Sequence, residues 1–193
     1  QIGREQCMRI ARKIRQIKSP SYKGAEQQLQ MDKKLEKSNA GKILARFTNR
    51  LKPLGLKRAK PTFWIREKEL FIEFIHVHKY TFGPFFRIHS CIRPYNNSFS
   101  AIALAGPTER ELDPRLSFEY DTTIESVEHC ARTMASFVQH HSEAWFLKWL
   151  EPSSLLKEDS PLDAEQKREL QQAIDGNINP KWIKLTQELF NIS

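Results

Sequence analysis

The stretch FWIREKELFIEFIHVHKYTFGPFFRIHSCIRPYNNSFSAIAL, residues 63–104, decides the fold. It is rich in aromatic and β-branched residues that alternate with polar ones, a pattern typical of β-strands. The pattern predicts four strands, FWIR, LFIEFIHVH, FFRIHSCI and FSAIAL. The short connections EKE and YTFGP between the first three favour hairpins, so we expect an antiparallel sheet. The segment LSFEYD, residues 116–121, is a candidate fifth strand.

Apolar residues at helical spacing flank this stretch on both sides. Helices are predicted before the sheet at 4–18, 25–37 and 40–51, the last capped by Ser38 or Asn39. Further helices are predicted after it, beginning at Asp121 or Thr122, near Pro161 and at Pro180. The resulting fold class is α+β: a small antiparallel sheet of four or five strands against helices. We divide the chain into a basic helical arm (1–39), an α+β core domain (40–151) and a C-terminal helical segment (152–193).

Positive charge is concentrated at the start of the chain. The whole sequence carries a net charge of +8, but residues 1–60 hold 17 Lys and Arg against 4 Asp and Glu, or +13, which leaves −5 for the remainder. Segregation of this kind indicates an interaction surface, or pairing between the two halves. The candidate binding residues are Arg9, Arg12, Lys13, Arg15, Lys18, Lys33, Lys34, Lys37, Lys57, Arg58 and Lys60.

Three kinds of partner come into question for such a basic region: protein, nucleic acid and a membrane surface. An acidic protein partner or self-association is the leading interpretation, and nucleic acid is the alternative, because lysines and arginines neutralise phosphates. Stacking on single strands is not indicated within the arm, since Tyr22 is the one aromatic residue among residues 1–46. A membrane surface is disfavoured because the apolar face of the first predicted helix has few large residues.

Three histidines form the strongest candidate for chemistry. His76 and His78 are predicted on one face of the second strand, and His89 follows on the next strand. Three imidazoles and a water would make an open zinc site, so a metal-dependent enzyme is a second alternative. The competing interpretation is a set of polar residues on the less buried face, and a one-residue shift in register would turn His89 away.

Other catalytic constellations are not supported by the sequence. Glu67, Glu69 and Glu73 are expected to be solvated around the first hairpin, and Glu109, Glu111 and Asp113 to lie in a loop. No phosphate-binding loop, dinucleotide fingerprint, nucleophile elbow or HExxH motif is present. We therefore expect a binding protein without a cofactor. Three scattered cysteines and no apolar run of about 20 residues favour a cytoplasmic setting without a membrane span.

The run FTNRLKPLGLKRAKPTFWIREKE, followed by IEFIHVHKYTFGPFFRIHSCIRP, resembles a bacterial family, the domain of unknown function 4304. The resemblance covers Ala40 to about Trp149 and rests on a helix that ends in a turn, followed by three strands. The sequence departs from the family pattern by placing the three histidines where other polar residues are usual. The resemblance implies an α+β fold and brings no established activity. By analogy with small proteins of this kind, we expect a protein-interaction module, an immunity-type inhibitor or an adaptor.

Overall fold

The computed structural model describes residues 20–192, with side chains from residue 32 onward. The predicted helix at 4–18, with its basic residues Arg9, Arg12, Lys13, Arg15 and Lys18, lies outside the described residues. The described chain forms one antiparallel sheet in sequence order. Its strands are β1 (Lys57–Lys60), β2 (Phe63–Glu67), β3 (Phe71–Lys79), β4 (Phe85–Pro94) and β5 (Phe118–Glu119). The α+β fold class is therefore confirmed.

Helices pack against both faces of this sheet. The α-helices are α1 (Pro20–Leu51), α2 (Glu109–Leu112), α3 (Ile124–Phe137), α4 (Glu143–Phe146), α5 (Ala164–Ile174) and α6 (Pro180–Phe190). A π-helical turn, Val138–Ser142, joins α3 to α4, and 3-10 turns follow α1 and α4 at Lys52–Leu54, Leu147–Trp149 and Pro152–Leu156. The predicted helices near Pro161 and at Pro180 are confirmed as α5 and α6, capped by Asp163 and Asn179.

One continuous helix replaces the two that were predicted between residues 25 and 51. The predicted cap at Ser38 or Asn39 is wrong, because α1 continues through both residues. Asn39 is buried and its side-chain amide donates to the main-chain oxygen of Asp121. A residue that favours helix caps is therefore accommodated inside a helix by a partner from another part of the chain. The division of the chain at residue 39 stays a prediction.

Two strand assignments differ from the sequence pattern. FSAIAL is not a strand, because the main-chain oxygens of Phe99 and Ala101 accept hydrogen bonds from the Arg93 guanidinium rather than from a neighbouring strand. KRAK, which lies outside the strands predicted from the sequence, pairs with β2 as the edge strand β1. The candidate fifth strand is confirmed as β5, which pairs with the start of β4.

The first face of the sheet is covered by helices. Trp64, Ile75 and Ile88 are completely buried there in one apolar cluster with residues of α1 and α3. The ring of Phe47, from α1, meets Trp64 edge to face with 4.9 Å between centroids. In α3 the cap is Thr123, one residue beyond the predicted range, and Ile124, predicted on the apolar stripe, is 52% exposed.

The second face is covered at one end. Phe74 and Ile72 lie under α6, where the Phe190 ring is 5.0 Å from the Phe74 ring. In α6, Trp182, Ile183, Leu185 and Leu189 are half-buried, with Leu189 packed against this cluster, and the fully buried residues are Thr186 and Phe190. Thr186 accepts a hydrogen bond from Arg93, so a polar anchor fixes the helix. The other end of this face is the more accessible one.

Candidate interaction surface

An aromatic cluster occupies the hairpin between β3 and β4. The rings of Tyr80 and Phe85 are 4.3 Å apart, and Phe82 contacts both, at 5.0 Å from Tyr80 and 5.5 Å from Phe85. Phe82 is 79% exposed. A Cβ atom on Gly83 would be 2.4 Å from the Phe85 ring, so glycine is what allows that ring to lie against the turn. The local sequence thus holds a large apolar side chain in solvent.

Arg87 extends this cluster along β4. Its guanidinium lies over the Tyr80 ring at 5.3 Å and 3.9 Å from a carboxylate oxygen of Glu109. Glu109 was predicted in a loop, but it begins α2, is 4% exposed and accepts a hydrogen bond from the main-chain N–H of Ile88. The buried carboxylate therefore lies near the cation but beyond hydrogen-bond distance, and the Arg87 Nε atom has no hydrogen-bond partner among the described residues. We call Tyr80, Phe82, Phe85 and Arg87 the hairpin patch.

A lysine-rich turn of α1 adjoins the hairpin. Glu36 forms an ion pair of 2.7 Å with Lys79, whose ammonium group also donates to the main-chain oxygen of Tyr80. Lys33, Lys34 and Lys37 lie beside Glu36 on the helix and are exposed. None of the three forms an ion pair with another residue of the described range 32–192. We call these three residues the lysine turn.

The three histidines share one face, as predicted. His76 pairs directly with His89 across β3 and β4, and the ring centroids are 5.9 Å apart, with His78 6.5 Å from His76. Burial, with nearby His89 and His78, lowers the pKa of His76 to about 4. Burial and the charge of Arg87 also lower the pKa of His89. Both rings are therefore neutral at pH 7.

The metal site predicted from these histidines gains no support from their geometry. Within residues 32–192, no group of three or more His, Cys, Asp or Glu side chains is placed to hold a metal ion. The Nδ1 atoms of His76 and His89 are buried and have no hydrogen-bond partner in the described part of the chain. The histidines form a half-buried polar strip that continues the hairpin patch toward the middle of the sheet.

The remaining predicted basic residues lie on β1. Lys57 and Arg58 are exposed and Lys60 is half-buried at this edge of the sheet. Arg58 packs over Trp64 at 5.2 Å and donates to the main-chain oxygen of Pro61. The predicted basic residues that the structure describes therefore belong to two structural elements, α1 and the sheet edge.

One predicted solvated acid is a buried structural group. Glu73 is 0% exposed, 2.6 Å from Arg66 and 3.7 Å from Lys68. Arg66 also contacts Glu143 at 3.0 Å. Burial opposes the charge of Arg66, but its hydrogen bonds to Glu143 and Glu73 keep its pKa above the usual value. This cluster joins β2 and β3 to α4, so its role is structural.

The two described cysteines are poor nucleophiles. Cys91 and Cys130 are free and buried. Burial raises the pKa of Cys130 to about 12 and raises that of Cys91 as well. Both are therefore neutral thiols at physiological pH, where the thiolate is the reactive form.

Comparison of the chain with models of protein families, with curated proteins and with solved structures found no match. The resemblance to the domain of unknown function 4304 therefore stays a prediction. Across the described residues, every helix is too short or too polar to cross a membrane.

Proposed function

We propose that this protein is a protein-interaction module that binds an acidic protein surface through the hairpin patch and the lysine turn. The observation that carries the proposal is Phe82, a large apolar side chain that is 79% exposed within a cluster of rings fixed by the hairpin. An isolated exposed phenylalanine needs no explanation, but one held by Tyr80, Phe85 and a glycine turn is a preformed anchor.

The composition of the surface suits a protein partner. Protein interfaces are enriched in Tyr, Phe and Arg, and their strongest contacts come from a few aromatic or arginine anchors. Arg87 already lies over the Tyr80 ring, so part of its conformational entropy is lost before a partner covers it. The lysine turn, joined to the hairpin through the Glu36–Lys79 ion pair, supplies positive charge without an ion-pair partner in the range 32–192, which favours an acidic partner.

The activity we propose is binding without catalysis. The described cysteines are neutral thiols, Glu73 is held by Arg66 and Lys68, and the histidine strip is not arranged around a metal position. A role as an immunity-type inhibitor or an adaptor is the specific form that the family resemblance suggests.

Site-specific photo-crosslinking in cells of the native host tests the proposal. Phe82 is replaced by benzoylphenylalanine, and a matched variant carries the same group at Leu147, which is 62% exposed on a different part of the surface. We expect a discrete adduct at position 82 that is digested by protease, resists nuclease and contains an acidic protein. The triple variant K33E/K34E/K37E should weaken that adduct because like charges then repel.

Two results would overturn this proposal. One is the same adducts from positions 82 and 147, which would reflect random encounters with exposed apolar groups. The other is no adduct at position 82 in cells that express the protein at its natural level.

Single-stranded nucleic acid is a second candidate, favoured by the stacking of Arg87 on Tyr80 and by the exposed lysines of the lysine turn. Aromatic rings stack on bases and lysines bind phosphates. Fluorescent DNA and RNA oligomers are titrated at several salt concentrations against the intact chain, F82A and K33E/K34E/K37E. Binding that weakens steeply with salt, at about −0.7 in log–log slope for each phosphate contacted, and that is lost in both variants would favour this candidate.

A further inference from the structure

The strand β1 is an open edge of the sheet. It has β2 on one side and no strand on the other within the described chain. The main-chain oxygen of Ala59 accepts a hydrogen bond from the Asn191 side chain, and no other main-chain group of β1 bonds outside the β1–β2 ladder among the described residues. The remaining outward N–H and C=O groups of such a strand are free to pair with another extended chain.

Two cavities lie beside this edge, one on each face of the sheet. The cavity on the helix-covered face has a volume of about 330 Å³ and is bounded by Thr48 and Lys52 on one side and by Leu56, Lys57 and Arg58 on the other. The cavity on the opposite face has a volume of about 370 Å³. Its lining shares Lys57 and Arg58 with the first cavity and adds Ala59, Ile65, Glu67, Asn191 and Ile192.

This arrangement matches the geometry of an added strand. Successive side chains of an extended peptide point to opposite faces of the sheet. A peptide paired with β1 would therefore direct alternate side chains into the two cavities. Main-chain hydrogen bonds would supply affinity and the cavities would supply selectivity.

The charge of the two cavities indicates which peptide fits. Lys52, Lys57 and Arg58 border the first cavity with no acidic residue among its lining, and none of the three forms an ion pair with another described residue. The first cavity exposes mostly apolar surface, whereas the second has the more polar lining, in which Lys57 and Arg58 outnumber the one acid, Glu67. Aliphatic side chains of a bound peptide therefore suit the first cavity, and acidic side chains suit the second. We propose that β1 binds an extended segment of a protein partner in which acidic and aliphatic residues alternate.

A second copy of this chain is a poorer occupant. Pairing β1 with another β1 would bring KRAK opposite KRAK. Like charges directly opposite each other destabilise a strand pair, and lysine-rich edges are a common protection against self-pairing. The same lysines favour an acidic strand.

Binding of a fluorescein-labelled peptide, Val-Glu-Val-Glu-Val-Glu, to the intact chain tests the proposal by fluorescence anisotropy. Two further peptides carry N-methyl groups at residues 1, 3 and 5, or at residues 2, 4 and 6. Because methylation removes the donors along one edge of the peptide, strand addition predicts that one methylated peptide loses about tenfold or more in affinity while the other binds nearly as well as the parent. Attraction between charges alone predicts that both methylated peptides bind equally.

The variant K52E/K57E should weaken binding of the parent peptide by about tenfold. Both lysines are exposed, so the fold should survive, and circular dichroism checks it. K148E/K157E, which reverses two exposed charges outside both cavities, is the matched control and should bind as the natural chain does. No saturable binding up to about 1 mM peptide, equal affinity of the two methylated peptides, or unchanged binding by K52E/K57E would overturn the proposal. None of these results depends on the hairpin patch.

Discussion

The two faces of the sheet are covered by helices to different extents. The first face is closed by α1 and α3, with Phe47 and Trp64 completely buried and their rings in edge-to-face contact. The second face is closed at one end by α6, while its other end carries the histidine strip and the hairpin patch. The contrast suggests that the first face supplies most of the stability and that the accessible end of the second supplies recognition.

Two arginines, the half-buried Arg66 and the buried Arg93, show the same contrast. On the first face, Arg66 is paired with two carboxylates, Glu73 and Glu143. On the second face, Arg93 donates to the main-chain oxygens of Asn97, Phe99 and Ala101 and to the Thr186 hydroxyl. Burial lowers the pKa of Arg93 to about 10, against the opposing effect of Glu169. One arginine joins regular elements, and the other holds an irregular loop against the sheet.

The largest predicted difference in the free energy of unfolding is between two phenylalanine-to-alanine variants, F47A and F82A. F47A removes a fully buried ring and its contact with Trp64, so it should lower the free energy of unfolding by about 3–5 kcal/mol. F82A removes a ring that is 79% exposed and should change the free energy of unfolding by less than about 0.5 kcal/mol. Urea unfolding of both variants measures the difference. Equal losses would show that the hairpin is part of the core.

A smaller loss is expected for R66M. This change leaves the Glu73 carboxylate buried with Lys68, 3.7 Å away, as its remaining cation. The free energy of unfolding should fall by about 2–3 kcal/mol, because a buried charge without its partner is costly. The double variant R66M/E73Q should recover part of this loss, since the uncompensated charge is then gone. If E73Q made R66M less stable still, the ion pair would not be the source of the effect.

A pH dependence is expected from the second face. The pKa of His76 is about 4 in the folded chain against 6.5 for an ordinary histidine. As the pH falls below 6.5, His76 becomes protonated in the unfolded chain but stays neutral in the folded chain. Its contribution to stability is therefore complete above pH 6.5 and is lost between pH 6.5 and 4. The loss should be about 2 kcal/mol and should be smaller in H76Q, as measured by urea unfolding at pH 7 and 4.5. The exposed His129 provides a control, because H129Q should keep the full loss.

The sequence predicted those elements whose pattern has a local cause. Strands β2 to β4 follow from alternation, which also placed His76, His78 and His89 on one face. Helices α5 and α6 follow from Pro161 and Pro180 near their starts. FSAIAL has an equally good strand pattern, but its main-chain oxygens accept hydrogen bonds from Arg93. The local sequence does not indicate that contact.

The candidate surface was harder to predict. YTFGP was interpreted as a turn because of Gly83 and Pro84, and the exposure of Phe82 depends on how Tyr80 and Phe85 pack in three dimensions. The burial of Glu73 likewise depends on Arg66 and α4. An aromatic residue inside a glycine-containing turn was the available signal. The basic residues of α1 and β1 were recognised, but their assignment to separate elements needed the sheet order.

The most direct measurement is the affinity of the protein captured at position 82 for the natural chain and for F82A, determined by titration calorimetry. If Phe82 is the anchor, F82A should lower the affinity by about 30-fold or more without changing the free energy of unfolding. L147A, which removes an apolar side chain of similar exposure elsewhere, should bind as the natural chain does. An F82A affinity within about twofold of the natural value would contradict the account, because the exposed hairpin would then contribute nothing to recognition.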